Sequence, residues 1–223
     1  MPYKRSSLYL MKIFDNIFRR CRQHPDLASE VMRVFPGAQV YKEAVSPQNE
    51  QVLQFLRGED VPNCCHSLES IVNYTDEEME QYHDFIQWIY PTLEQSQAHP
   101  DAPIIDTSFA DKLHKDACAL AGYCKGCKRY LQYMGLECKS EGEIIQIPNA
   151  QPFWKLPSHN YLRITRALNS LDQTKHSKCN KALYSRMMQI LDADPTNYVG
   201  RTTLGYWERT QKLSSEENIN LSN

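Results

Sequence analysis

The chain has 223 residues, of which 41% are hydrophobic and 23% charged, and its formal net charge is -2. That length allows a sizeable core in one domain, and the composition is that of an ordinary soluble protein. The balanced charge supplies no global field for nucleic acid or an anionic membrane, and no run of about 18 apolar residues offers a bilayer-spanning helix.

The start, "MPYKRSSLYLMKIFDNIFRR", has a basic pair but no long apolar h-region and no small-residue cleavage site, so it does not read as a secretory signal. The eight cysteines are then expected as reduced thiols in a cytosol-like compartment. A first helix is expected from about Ser7 to Gln23. Arg19, Arg20 and Arg22 beside Phe14, Ile17 and Phe18 make it amphipathic, suited to folding onto the domain or to weak membrane or nucleic-acid contact. Turns follow at Pro25 and Pro36-Gly37, so residues 1–50 read as a helical arm. "NEQVLQFLRGED" places Val52, Leu53, Phe55 and Leu56 at helical spacing and ends at Gly58.

"YTDEEMEQYHDFIQWIYP" carries the strongest helix signals. Thr75 with Glu78 three residues later is a capping box, and Asp76 and Glu77 suit the positive end of the helix dipole. Met79, Tyr82, Ile86 and Ile89 give one apolar face, and Pro91 stops the run. A longer helix is expected from about Thr107 to Gly135, with a kink or break at Gly122 or Gly126, since each glycine costs roughly 1 kcal/mol against alanine. "EIIQI" reads as a short strand or hairpin arm. "PSHNYLRITRALNSL" reads as a helix capped near Ser158 with Leu162, Thr165, Leu168 and Leu171 as its buried stripe. "SKCNKALYSRMMQILDAD" puts Cys179, Leu183, Met187 and Ile190 on one face. A last helix is weakened at Gly200 and Gly205, and residues 212–223 read as a disordered polar tail. The fold class is mainly α, a single multi-helix globular domain with at most a short β-hairpin.

Two stretches concentrate chemistry. In the first, His83 and Gln87 stand four residues apart and would share a helix face, with Asp84 and Trp88 on the next. Such a pair can hydrogen-bond a ligand backbone or satisfy buried groups of a neighbouring loop. Phe85 and Trp88 supply apolar surface or core. In the second, Arg163 and Arg166 could fork a carboxylate or phosphate, or form internal salt bridges to Asp84 or Glu80. His159 and Asn160 fall in the first turn, where capping is the simpler role. Elsewhere, His114, Cys118, Cys124, Cys127 and Cys138 contain a CxxC and the ligand types zinc uses, with Cys64-Cys65-His66 as further donors, although buried free thiols explain them as well. No Gly-rich phosphate loop, GxSxG elbow or HExxH pattern is present.

Taken together, "HDFIQWIYP" (His83 to Pro91), "HPDAPII" (Pro100 to Ile105 at its core) and "HNYLRITR" (His159 to Arg166) resemble the conserved domain of the opioid growth factor receptor family. That family carries a His-Asp/Gly-aromatic-Ile-Gln-Trp-Leu-Phe-Pro core, an Asn-Pro-x-Ala-Pro-Leu-Leu loop and an Asn-x-Leu-Arg-Ile-Thr-Arg helix in the same order. "VLQFLRGEDVP" and "YLQYMGLE" extend the likeness, which runs from about Gln51 to Trp207, within a domain read as 51–211. The chain resembles a minimal form without the C-terminal repeats.

The resemblance implies a helical domain without known catalytic activity and a peptide or protein ligand. The vertebrate members are named for binding an enkephalin pentapeptide and are associated with the nucleus and nuclear envelope. The expectation is therefore an intracellular binding module, at the cytoplasm or nuclear periphery. Its candidate ligand-binding residues are His83, Asp84, Phe85, Gln87, Trp88, His159, Asn160, Arg163 and Arg166. No cofactor and no nucleic-acid partner are expected. The alternatives are an enzyme using His83, Asp84 and the arginine pair, or a zinc-stabilised scaffold.

Overall fold

The computed structural model describes residues 46–220 apart from 63, 140, 141, 149, 151–158 and 194–198, with side chains described as far as residue 211. The expected Ser7–Gln23 helix, the turns at Pro25 and Pro36, and the Ser158 cap lie outside the described residues. Among those residues the fold is nine helices and one two-stranded hairpin, as the mainly-α reading anticipates.

Helix α1 (Pro47–Arg57) starts where the Ser46 hydroxyl accepts the Asn49 N–H and stops at Gly58, which takes a left-handed φ of 82°. Two short helices follow, α2 (Leu68–Asn73) and α3 (Asp76–Gln81), each opened by a reciprocal capping box, Ser67 with Ser70 and Thr75 with Glu78. The expected single helix through "HDFIQWIYP" is broken. The chain leaves α3 at Tyr82 in extended geometry and resumes as α4 (Ile86–Ile89).

The expected Thr107–Gly135 helix is also two, α5 (Phe109–Lys115) and α6 (Ala117–Tyr133). The break falls at Asp116, not at the glycines. Asp116 Oδ1 accepts the Ala119 N–H at 2.9 Å and Oδ2 accepts Arg57 Nε at 2.7 Å, so one carboxylate opens α6 and ties it to the end of α1. Gly122 and Gly126 lie inside α6, which runs unbroken past both. They are points of close approach, where α1 and α4 come against α6.

Strand β1 (Leu136–Cys138) pairs antiparallel with β2 (Ile144–Gln146), Glu137 opposite Ile145. Helices α7 (Asn160–Gln173), α8 (Ser177–Ala193) and α9 (Arg201–Asn220) complete the fold. The buried face of α7 is Tyr161, Ile164, Ala167, Leu168 and Leu171, while Leu162 stands 71% exposed. A spacing of three throughout, as in the expected Leu162 stripe, drifts around a helix of 3.6 residues per turn. In α8, Leu183 and Met187 are buried as expected, and Cys179 and Ile190 pack at the core edge. Helix α9 begins just after Gly200 and continues to Asn220, so the expected boundary with a polar tail falls inside a helix. Its Trp207 is fully buried and donates from Nε1 to Thr165 Oγ1 at 2.8 Å, fastening α9 to α7.

Candidate functional site

Arg163 explains why the chain breaks between α3 and α4. Its guanidinium is buried and donates to Met79 O at 2.8 Å and Tyr82 O at 2.6 Å, with Asn160 Oδ1 at 3.2 Å and the Phe85 ring centroid 5.3 Å away. Arg166 Nε donates to Tyr90 O at 2.8 Å. The two arginines of α7 thus satisfy carbonyls at the C-terminal ends of both short helices, groups that a helix cannot pair for itself. They do not form an open fork for a ligand carboxylate. Burial pushes the Arg166 guanidinium down to about 10, against the opposing pull of Glu94. Phe85, Gln87, Trp88 and Asn160 are buried with them. Gln87 Nε2 donates to Ser96 Oγ at 3.3 Å, while its Oε1 has no hydrogen-bond partner among the described residues. His83 is exposed and Gln87 is buried, so they do not share a face. Tyr82, expected in the apolar stripe, is 38% exposed.

What remains at the surface is the linker Tyr82–His83–Asp84. On one side the His83 ring lies 4.8 Å from that of His159, and His159 Nε2 lies 3.5 Å from Glu80 Oε1. Here the two chemically dense stretches of the sequence do meet. Glu80 also accepts from Tyr133 OH and from Asn160 Nδ2 at 3.1 Å. Burial works against ionisation of Glu80, but those two hydrogen bonds and the charges of His159 and Arg163 outweigh it and hold the carboxyl below its ordinary range. Burial and then the Arg163 charge push the His159 imidazole down, against the pull of Glu80.

On the other side, Asp84 Oδ1 is 2.6 Å from His66 Nε2, and His66 Nδ1 is 2.5 Å from Tyr74 OH. Burial again opposes ionisation of Asp84, and the His66 hydrogen bond prevails, leaving it below the usual carboxylate range. The Tyr82 ring flanks both partners, 5.3 Å from His66 and 5.1 Å from Tyr74. Arg129 holds the Tyr74 carbonyl from Nε at 3.1 Å and Nη2 at 2.8 Å, and donates to Asp76 at 2.7 Å. In sequence, His66 stands out only as a further metal donor beside Cys64 and Cys65. Tyr74 and Asp84 lie 8 and 18 residues from it, and no local spacing rule joins them.

His114 Nε2 is 2.9 Å from the Thr174 carbonyl. Among the described residues no group of three or more His, Cys, Asp or Glu side chains is placed to hold a metal ion. Cys124, Cys127 and Cys138 form no disulfide, and burial holds the Cys127 thiol well above its ordinary value. No helix among the described residues is long and apolar enough to cross a membrane.

Fold and site together define a mainly α-helical domain with an exposed polar and aromatic linker held from beneath by buried arginines. The conserved region of the opioid growth factor receptor (OGFr) matches residues 47–217, and the chain belongs to that family. A relative from Xenopus tropicalis, opioid growth factor receptor-like protein 1, is 30% identical over 117 residues, which are 51% of this chain and 23% of that protein. The chain therefore spans about a quarter of that relative's length. No solved structure matches the chain.

Proposed function

We propose that this chain is a peptide- or protein-binding module whose contact surface is the Tyr82–Asp84 linker with Glu80 and His159 beside it. The observation that carries the reading is the convergence of exposed His83, half-exposed Tyr82 and two ionised carboxylates on one fixed segment. Tyr82 offers aromatic contact, the imidazoles offer hydrogen bonds to a peptide backbone, and Glu80 and Asp84 offer partners for a cation such as a peptide's terminal ammonium. Arg163 and Arg166 serve from below, fixing the linker so that little ordering cost falls on binding. Phe85, Gln87, Trp88 and Asn160 act through the same framework. The family's receptor name supports a peptide ligand, and its association with the nuclear periphery extends to this chain as part of the proposal.

The test is calorimetric titration of the full chain with Met-enkephalin and with a scrambled peptide. Saturable binding of the first alone is expected, weakened at least about tenfold in His83→Ala and Tyr82→Ala, the loss of one well-placed contact. His83 is exposed, so His83→Ala should keep the parent melting temperature. Equal binding of both peptides, or binding indifferent to both substitutions, would sink the reading.

A further inference from the structure

Tyr74, His66 and Asp84 form a continuous hydrogen-bonded chain in which each group is in the position its neighbour needs. Ionised Asp84 can only accept, so it takes the Nε2–H of His66. In the neutral tautomer this selects, Nδ1 carries a lone pair 2.5 Å from Tyr74 OH, placed to accept the phenol proton. Ser70 Oγ lies 3.4 Å from the same oxygen. The imidazole ring is largely buried, while the Asp84 and Tyr74 ends reach the surface. Arg129 pins the backbone of Tyr74 and the Tyr82 ring closes one side of the imidazole. This is a nucleophile, a base and a group that orients the base.

From this geometry we infer that Tyr74 is a base-assisted nucleophile, a covalent acceptor for electrophiles of the acyl and sulfonyl class that carry their own leaving group. The inference goes beyond peptide binding and does not depend on it. In the step, the phenol oxygen attacks the acyl carbon or sulfonyl sulfur while its proton passes to His66 Nδ1. The new bond from oxygen forms, the bond to the leaving group breaks, and that group departs with the bonding pair. The leaving anion or solvent then takes the proton from the imidazolium. No oxidant or reductant is involved, and the product is an aryl ester or aryl sulfonate at Tyr74. Burial holds the Tyr74 phenol above its ordinary value, so the free phenolate is scarce near neutrality and the route runs through the base. His66 touches the reacting oxygen. Asp84 acts through His66 and is a positioning residue. The titratable groups facing the imidazole are Asp84, Tyr74 and Tyr82, with Glu78 beside Tyr74 and with Cys64 and His99 beside Asp84.

The test treats the full chain with an aryl sulfonyl fluoride and follows it by intact mass and peptide mapping. One adduct is expected, at Tyr74 in preference to the more exposed Tyr82 and Tyr206, at a rate that rises with pH through the imidazole range. His66→Gln should slow it by about 100-fold, the low end for a positioned general base, and Tyr74→Phe should abolish it. Asp84→Asn should move the half-rise of the rate to lower pH, because the imidazolium loses its carboxylate partner, a change that mere loosening of the loop would not produce. Adducts on Tyr82 and Tyr206 with Tyr74 untouched would overturn the inference. So would a Tyr74 rate in the parent chain that follows only phenol ionisation, a result that requires no variant to fold.

Discussion

A methyl group added at Gly122 would lie 1.7 Å from the carbonyl oxygen of Leu56 and 2.8 Å from its carbonyl carbon. The obstacle is backbone, which cannot swing aside like a side-chain end. Gly122→Ala should therefore force α1 off α6 and cost at least about 2–3 kcal/mol in denaturant unfolding, the upper range for overpacking. Gly205 is the contrast. It too lies within a helix, but an added methyl there meets nothing within 4 Å, so Gly205→Ala should stabilise by about 0.5–1 kcal/mol through helix propensity and a less mobile unfolded chain. In sequence both residues read alike, as weak points in a helix. What separates them is the neighbour each one meets, which local spacing does not contain.

At the scale of elements, α3 and α4 have only 6 and 4 residues, too short to persist without tertiary support. The support is Arg163. Arg163→Ala would leave the Met79 and Tyr82 carbonyls without this donor and should cost on the order of 3 kcal/mol, since hydrogen bonds to charged groups contribute about 1.5–3 each. Arg163→Lys should recover only part, because one ammonium cannot reproduce a planar fork reaching two carbonyls. In both variants the amides of 79–90 should exchange faster than those of α6, and uniform exchange across the two would count against this role for Arg163. The start of α3 was legible, since Thr75 and Glu78 are a local pair. Its end was not, because Tyr82 through Trp88 continue a helical pattern that the guanidinium overrides.

Across the whole molecule, His176 links four helices. It lies just before α8, its backbone N–H donates to Leu171 O of α7 at 2.7 Å, and its ring stacks on His114 of α5 at 4.8 Å and lies 5.0 Å from Tyr123 of α6. Burial, then the charge of His114, pushes its imidazole from 6.5 down to about 4. The folded chain thus holds this proton less readily than the unfolded chain. The stability His176 contributes is full above pH 6.5, drains as the pH falls toward 4, and is absent below. The drop should amount to about 2 kcal/mol, less than the full value of the shift because the ring is only half-buried. Urea unfolding across that window should show it, and a His176→Gln variant should show a flatter profile. An unchanged profile in the variant would assign the slope to other groups.

The sequence by itself determined the mainly-α class, the helix start at Thr75, the helix end at Gly58, and the family. Each of these rests on residues within a few positions of one another or on an ordered set of motifs. Tertiary structure alone decided where α3 and α5 stop and which polar residues reach solvent. Arg163 meets Met79 across 84 residues, and Asp84 meets His66 across 18. Those pairings turned the expected carboxylate fork into a capping device, and turned one residue of a presumed helix into the end of a hydrogen-bonded chain. A cap is a local bargain between a side chain and the next turn of backbone, whereas a buried cation takes whichever carbonyls the packed helices bring to it.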